Sequence, residues 1–129
     1  MKKLVVYYSL SGNTRAVAKR IARTLRADLM EIRTVKSYPD DYDVLLSLGQ
    51  KEIRSGYMPQ IEQLPFDANR YETIVLGTPV WWSSYAPAVK KFMAGVSWKG
   101  KKVYPFATHG GDLGHTPSDL RKAMRGAQV

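Results

Sequence analysis

The sequence has no cysteine among its 129 residues and only two histidines. The first absence excludes disulfide bonds, thiolate nucleophiles, iron–sulfur ligation and thiolate zinc sites. A metal centre needs more ligands than His109 and the nearby Asp112 supply, so we predict no metal. No apolar run is long enough to cross a membrane, and the segment before Ser9 is too short for a secretory signal. These absences together predict a soluble, cytoplasmic protein.

Acidic residues are also few, since 11 aspartates and glutamates stand against 20 lysines and arginines and leave a formal net charge of +9. Such an excess predicts attraction to anions, whether nucleic acid, acidic proteins or phosphorylated ligands. Five of the cations share one face of the first predicted helix: Arg15, Lys19, Arg20, Arg23 and Arg26. The opposite face carries Val17, Ile21 and Leu25, so we interpret the cations as a solvated helix face.

The length of the chain allows one core, and we predict a single domain over residues 1–129. Four apolar runs are predicted to be strands: Leu4–Tyr8, Leu29–Val35, Thr73–Gly77 and Lys102–Thr108. Helical patterns alternate with them: Asn13–Arg26, roughly Asp41–Ile53, Ala86–Val96 and Pro117–Met124. This alternation predicts an α/β fold in which parallel strands are joined by crossover helices on both faces of the sheet.

The first strand is followed by the run SLSGNT, which we call the first loop. A turn into a helix leaves the first backbone N–H groups unpaired at the positive end of the helix dipole, here beside the hydroxyls of Ser9, Ser11 and Thr14. Gly12 permits close approach of the backbone. The loop has neither a lysine nor the glycine spacing of nucleotide-binding motifs. It is predicted to anchor a phosphate without transferring it, the alternative being an ordinary N-cap at Ser11 or Asn13.

Ligands of parallel α/β sheets bind beyond the carboxyl ends of the strands, so the loops after the first, third and fourth predicted strands should converge. The second loop, residues 78–85, begins with Thr78, Pro79, Val80, Trp81 and Trp82. Successive side chains of an extended segment diverge, so at least one tryptophan is predicted to face a cavity or solvent. An indole in that position offers a surface on which an aromatic ring can stack.

The third loop, residues 108–114, contains Thr108, His109, Gly110, Gly111 and Gly114. Its glycines let backbone amides approach the edge of a flat ligand. His109 is either a turn residue or a group with a chemical role, and the sequence leaves both open. A phosphate cradle, a stacking surface and an amide edge at one end of a sheet suit a ligand with a phosphate tail and a planar polar ring. Flavin mononucleotide, FMN, is such a ligand.

The chain resembles the flavodoxin-like family, specifically a short FMN-binding branch with a Pro-Val-Trp-Trp loop. The first loop matches the family's phosphate motif, Thr/Ser-x-Thr/Ser-Gly-Asn-Thr, and residues 38–42, 77–82 and 108–114 match in order and spacing. The resemblance implies a three-layer sandwich with a parallel sheet of strand order 2-1-3-4. It also implies FMN with its phosphate on the first loop and its ring between the second and third loops.

The chain departs from the family in three respects. Flavodoxins usually continue through a fifth strand and a last helix, whereas this sequence stops at Val129, where that strand would begin. We therefore expect a domain that is short at its C-terminal end, with an open sheet edge that a homodimer or another partner would cover. The chain is basic where electron-carrying flavodoxins are acidic. Pro79 and Val80 occupy a loop where many flavodoxins place a glycine beside the flavin.

The resemblance implies an FMN-dependent redox protein, either an electron carrier with a redox partner protein or a small reductase with a nicotinamide donor. The alternative is a flavin-free interaction module that uses its basic surface. Nucleic acid is a disfavoured partner, because no aromatic residues interleave with the cations of the first helix. A phosphorylated receiver would need an aspartate where Gly77 and Thr78 stand, and a cysteine phosphatase would need a cysteine.

Overall fold

A computed structural model of the protein describes residues 3–10, 12–109 and 113–129. The elements follow in the order β1 (Lys3–Tyr8), α1 (Asn13–Leu25), β2 (Asp28–Ile32), α2 (Tyr42–Ser55), β3 (Thr73–Trp81), β4 (Ser84–Tyr85), α3 (Pro87–Ala94), β5 (Lys102–Thr108) and α4 (Thr116–Ala123). A short 3₁₀ helix, Ala68–Arg70, precedes β3. Three residues of the predicted site lie outside the described residues: Ser11, Gly110 and Gly111.

Four strands form a parallel sheet in the order β2-β1-β3-β5. This confirms the predicted α/β class and the order 2-1-3-4, because the fourth predicted strand is β5. The difference is β4, which the sequence did not reveal. β3 continues past Gly77 to Trp81 and then turns back, so that Val80 and Trp81 pair with the antiparallel β4.

Helices cover both faces of the sheet and make three layers. Alternate residues of β1 enter two different cores, as expected for a strand buried on both faces. Leu4 and Val6 belong to the core beneath α3 and α4, whereas Val5 and Tyr7 pack with α1. The carboxyl ends of β1, β3 and β5 therefore lie at one edge of a rigid sheet, which positions the loops that follow them.

α1 packs on the sheet through small residues, and this corrects the predicted helix face. Its buried positions are Thr14, Ala18 and Ala22. Val17 and Leu25, which we expected to pack inward, are each 39% exposed. Small side chains let the helix backbone approach the strands closely, and the larger apolar residues are thereby left at the flank of the contact.

The uncovered part of the sheet on the α1 side carries apolar side chains. An open depression of about 550 Å³ there is bordered by Ile21 and Leu25 of α1 and by Val75, Tyr104 and Phe106 of the sheet. Two cationic side chains, Lys3 and Lys102, also line it. We call this region the apolar flank. Tyr104 is 59% exposed. Within the described residues, the outer edge of β5 is paired through one parallel bridge, between Lys102 and Gln128.

The second crossover contains one helix and an irregular return, as predicted. β2 ends at Ile32, earlier than predicted, and the following segment pairs in antiparallel fashion with the return, through a bridge between Thr34 and Ile61. None of the helices in the described ranges has the length and apolar character needed to span a membrane.

Candidate functional site

The first and third loops meet through two threonines. Thr14 lies in the first turn of α1 and is buried, and its Oγ1 is 2.7 Å from Oγ1 of Thr108, the last residue of β5. The two hydroxyls share a hydrogen bond. The ends of β1 and β5 are separated by β3 in the sheet, so this bond closes the space above the carboxyl end of β3. The predicted convergence of these two loops is confirmed.

The N terminus of α1 is held by backbone geometry and has no side-chain cap among the described residues. Its N-cap is Gly12, whose φ of +97° favours glycine. The Gly12 N–H donates to Oγ of Ser9 at 3.0 Å, which folds the first loop back on itself. α2 differs, because Asp41 caps it by accepting from the N–H of Val44. The backbone N–H groups in the first turn of α1 thus remain available to donate hydrogen bonds to an anion.

This arrangement bears on the alternative of an ordinary N-cap. Asn13 is the first residue inside α1 and is exposed, so it does not occupy the N-cap position. Ser11, the other residue considered for that role, lies outside the described residues. The described geometry therefore favours a cradle of backbone N–H groups flanked by the hydroxyls of Ser9 and Thr14.

Three charged residues that the sequence analysis did not connect form a cluster beside this cradle. Nη2 of Arg15 is 2.7 Å from Oε2 of Glu31, and Nη2 of Arg33 is 3.2 Å from Oε1 of the same carboxylate. The Tyr7 hydroxyl also donates to Oε1. Glu31 and Tyr7 are neighbours in the β1–β2 register, which becomes visible only when the strands are paired.

The pKa values of this cluster shift in opposite directions. Burial by itself raises the pKa of Glu31, but the hydrogen bonds and charges of Arg15 and Arg33 outweigh it and hold that pKa below its usual range. The hydrogen bond that Arg15 donates to Glu31, followed by the charge of that carboxylate, raises the pKa of Arg15. Burial, followed by the charge of Glu31, raises the pKa of Tyr7. The carboxylate therefore stays ionised and the guanidinium stays charged at neutral pH.

The second loop is a tight β-hairpin. Between β3 and β4 it has a two-residue turn made of Trp82, with φ +49°, and Ser83, with φ +68°. Turns that require positive φ at both positions usually contain asparagine and glycine, because larger side chains are strained there. Strain of this kind is characteristic of functional loops, where the surrounding contacts keep it in place.

The two tryptophans have different surroundings. Trp81 packs edge-on against Tyr38, with ring centroids 5.0 Å apart, and against Tyr8 at 6.1 Å. Trp82 is 45% exposed, and its Nε1 lies 3.4 Å from the position that a Cβ would take on Gly49 of α2. Trp81 thus supports the loop, while Trp82 presents open indole surface. The expectation that at least one tryptophan faces a cavity or solvent is confirmed.

An apolar cavity of about 320 Å³ lies against the tryptophans. Its lining consists of apolar side chains and one glycine: Leu10, Leu45, Leu46, Gly49, Val80, Trp81 and Trp82. Leu10 belongs to the first loop, so the cavity begins where the phosphate cradle ends. An aromatic ring attached to a bound phosphate would find apolar surface on this side.

Thr78 supports the hairpin from inside. Its side chain is fully buried, and its hydroxyl accepts from the Ala86 N–H at 3.1 Å and donates to the Pro79 carbonyl at 2.9 Å. Pro79 and Val80 are partly buried beside it. The Thr78 side chain therefore fixes the path of the loop, and the backbone and the exposed tryptophan remain for contact with a ligand.

The third loop is fastened to the hairpin turn. The His115 N–H donates to the carbonyl oxygen of Ser83 at 2.6 Å. Gly114, with φ +55°, lies so close that a Cβ on it would come within 2.5 Å of Cβ of Ser83. We call this pair of interactions the loop contact. His109, which follows the last residue of β5, is exposed.

Solved structures with the same fold include flavin proteins. A flavoprotein from Lactobacillus acidophilus in complex with FMN is 26% identical with a TM-score of 0.87, and the match covers 99% of this chain and 89% of that one. The apo form of a flavoprotein from the same organism is 25% identical, with a TM-score of 0.76 and coverage of 99% and 87%. A protein assigned as a flavoprotein from Bacteroides eggerthii is 29% identical, with a TM-score of 0.86 and coverage of 98% and 82%.

Two further comparisons complete this result. A search of curated proteins gives no match. A family model described as flavodoxin matches residues 2–129, which is nearly the whole chain. The fold, the convergent loops and this match agree with one another, and the chain belongs to the flavodoxin family.

Proposed function

We propose that the protein binds FMN and uses it in a redox reaction, either as an electron carrier or as a small reductase. The observation that carries the proposal is the N terminus of α1, which has a glycine N-cap, no side-chain cap in the described part of the chain, and the Thr14–Thr108 hydroxyl pair beside it. A phosphate monoester accepts hydrogen bonds from such donors. FMN carries this group and a planar ring.

The residues of the chain divide the binding task. Ser9, Gly12, Asn13 and Thr14 would hold the phosphate, together with Ser11, and the indole of Trp82 would flank the ring, with the Thr108–Gly111 segment at its polar edge. The cofactor, when bound, supplies electron transfer of one or two electrons, and the protein orients it and excludes water from one side. The flavoprotein from Lactobacillus acidophilus, which was crystallised with FMN, supports FMN as the cofactor.

The basic surface supports a choice of partner. Lys19, Arg20 and Arg23 of α1 are exposed, and the net charge of the chain is +9. Charge complementarity steers association, so the redox partner would be an acidic protein or a phosphorylated donor such as a nicotinamide nucleotide. Reduction of the loaded protein by nicotinamide nucleotide alone would favour the reductase, and reduction only through an acidic carrier would favour the electron carrier.

A titration with FMN, followed by tryptophan fluorescence, tests the proposal. A ring that stacks on Trp82 should quench the emission in a saturable way, and riboflavin, which lacks the phosphate, should bind more weakly. Asn13→Ala combined with Thr14→Ala should weaken FMN binding by roughly one to two orders of magnitude, as loss of several charge-assisted hydrogen bonds implies.

The matched control is Thr24→Ala, which removes an exposed hydroxyl on the same helix, bonded to the Arg20 carbonyl. It should leave FMN affinity unchanged. A folded wild-type protein that does not bind FMN would contradict the proposal. The flavin-free interaction module would then become the better hypothesis, and retention on a polyanion that falls steeply with salt would support it.

A further inference from the structure

We infer that Arg15, held in place by Glu31, is a specificity-determining residue of the phosphate site, one that makes the chain distinguish FMN from riboflavin by charge. The inference rests on the proposed function and goes beyond the first loop itself, which contains neither lysine nor arginine. It assigns a role to a charged cluster that lies outside the SLSGNT motif.

The guanidinium group of Arg15 lies beside the phosphate cradle. Nη1 of Arg15 lies 4.0 Å from the position that a Cβ would take on Gly12, the N-cap of α1. Arg15 is therefore at the side of the cradle, next to the N–H donors of the first turn. Its side chain is 41% exposed, so its charge acts on the cradle through partly screened surroundings.

The carboxylate of Glu31 makes this cation necessary. The Glu31 side chain is 12% exposed and reaches the same region from the end of β2, and its two oxygens accept from Arg15, Arg33 and Tyr7. An unpaired carboxylate in that position would repel a dianionic phosphate. With Arg15 and Arg33 both present, two positive charges are set against the one negative charge of Glu31. The net charge of the cluster is then positive, which favours a bound anion.

If Arg15 had a purely structural role, the binding data would differ. The Arg15–Glu31 pair also joins α1 to β2, and loss of such a brace would loosen the first loop for any ligand. FMN and riboflavin share the ring and the ribityl chain and differ by the phosphate. An electrostatic role therefore changes the affinity ratio between the two ligands, whereas a brace changes both affinities by a similar factor.

The experiment measures dissociation constants for FMN and for riboflavin by tryptophan quenching, at low and high salt, in four variants and the wild type. Arg15→Gln should weaken FMN binding by roughly tenfold and leave riboflavin nearly unchanged. Glu31→Gln removes the repelling charge and should strengthen FMN binding by about threefold. In the double variant FMN affinity should return most of the way to that of the wild type.

Lys19→Gln is the matched control, since it removes an exposed cation one turn further along α1. It should change the FMN-to-riboflavin ratio far less than Arg15→Gln does. High salt should reduce the FMN preference of the wild type and leave that of Arg15→Gln almost unaffected. Thermal melts establish that each variant is folded, and Glu31→Gln carries the test if Arg15→Gln does not fold.

Two results distinguish a failure of the proposed function from a failure of the role assigned to Arg15. If the wild type binds neither flavin, the proposed function is wrong and this inference falls with it. If the wild type prefers FMN but Arg15→Gln shifts both ligands equally, or shifts neither, the proposed function stands and the role assigned to Arg15 is overturned.

Discussion

Among single residues, Tyr71 connects three parts of the molecule. It lies just before β3, is buried, and its hydroxyl donates to Oδ2 of Asp28 at the start of β2, at 2.6 Å. Its carbonyl oxygen accepts from the ammonium group of Lys101, which is itself buried and also donates to the Asn69 carbonyl. The amino-terminal edge of the sheet is thereby fixed, opposite the edge that carries the site.

This tyrosine predicts how stability depends on alkaline pH. The hydrogen bond to Asp28, followed by burial, raises the pKa of Tyr71 to about 12 in the folded protein, compared with an ordinary value of 10.0. A raised folded-state pKa contributes stability that is complete below pH 10 and is lost as the pH rises towards 12. Tyr71→Phe should therefore be less stable than the wild type at neutral pH, and the difference should shrink above pH 10.

Denaturant unfolding at a series of pH values checks this prediction. Tyr104→Phe is the control, because that hydroxyl is at an exposed position on the sheet and its removal should cost little. A difference between wild type and Tyr71→Phe that stays constant across the alkaline range would show that the Asp28 hydrogen bond does not govern it.

At the scale of elements, the β3–β4 hairpin is the part that organises the site. The hairpin is held from below by Thr78 and from the side by Ser84, whose hydroxyl donates to Asp119 of α4 at 2.6 Å. The loop contact fastens the third loop to its turn. The two loops predicted to enclose a flavin ring thus behave as one structural unit.

Gly114→Ala should disrupt that unit. A Cβ at this position overlaps Cα and O of Ser83, at 2.6 and 2.8 Å, and φ is +55°. We expect a loss of stability of roughly 1–3 kcal/mol, the range for strain at a special backbone position, and a parallel loss of FMN affinity. Gly100→Ala is the matched control, since Gly100 has φ +80° but nothing within 4 Å of its Cβ position.

Comparing the two variants isolates the clash from the backbone strain. Thermal melting reports stability, and tryptophan quenching by FMN reports the site. Both variants should be destabilised, but only Gly114→Ala should lose affinity for FMN. Equal affinities would mean that the loop contact does not shape the flavin site.

The element scale also shows what the sequence reveals and what it does not. The alternation of strands and helices follows from hydrophobic periodicity, because continuous apolar runs such as Leu4–Tyr8 must be covered on both faces. The strand order was predicted from the resemblance to the flavodoxin-like family. β4 was missed because Trp82 and Ser83 lack the asparagine–glycine signal of a two-residue turn. The Arg15–Glu31 pair was missed because it depends on how α1 packs beside β2, which local patterns do not specify.

At the scale of the whole molecule, two surface features act against each other. The net charge of +9 makes two copies of the chain repel, while the apolar flank and the outer edge of β5 favour contact. Salt screens the repulsion and leaves apolar attraction in place. We therefore expect self-association to increase with ionic strength.

Sedimentation velocity at low and high salt measures this effect. Tyr104→Lys adds a third cation to the lining of the apolar flank, beside Lys3 and Lys102, and removes an exposed aromatic ring, so it should abolish the salt-induced association. Tyr57→Lys, at a similarly exposed tyrosine elsewhere, adds the same charge and should not. Association that weakens with salt, or that Tyr104→Lys leaves intact, would mean that another surface is responsible.

The loop contact bears on the rate of cofactor exchange as well as on the geometry of the loops. The N–H of His115 donates to the carbonyl oxygen of Ser83 at 2.6 Å and so links the third loop to the turn of the second. If the flavin ring binds between these two loops, as we propose, its entry and release would require this hydrogen bond to open. The slow step of cofactor exchange would then be a local opening of the protein, so that the exchange rate would level off, rather than keep rising, as free flavin is increased.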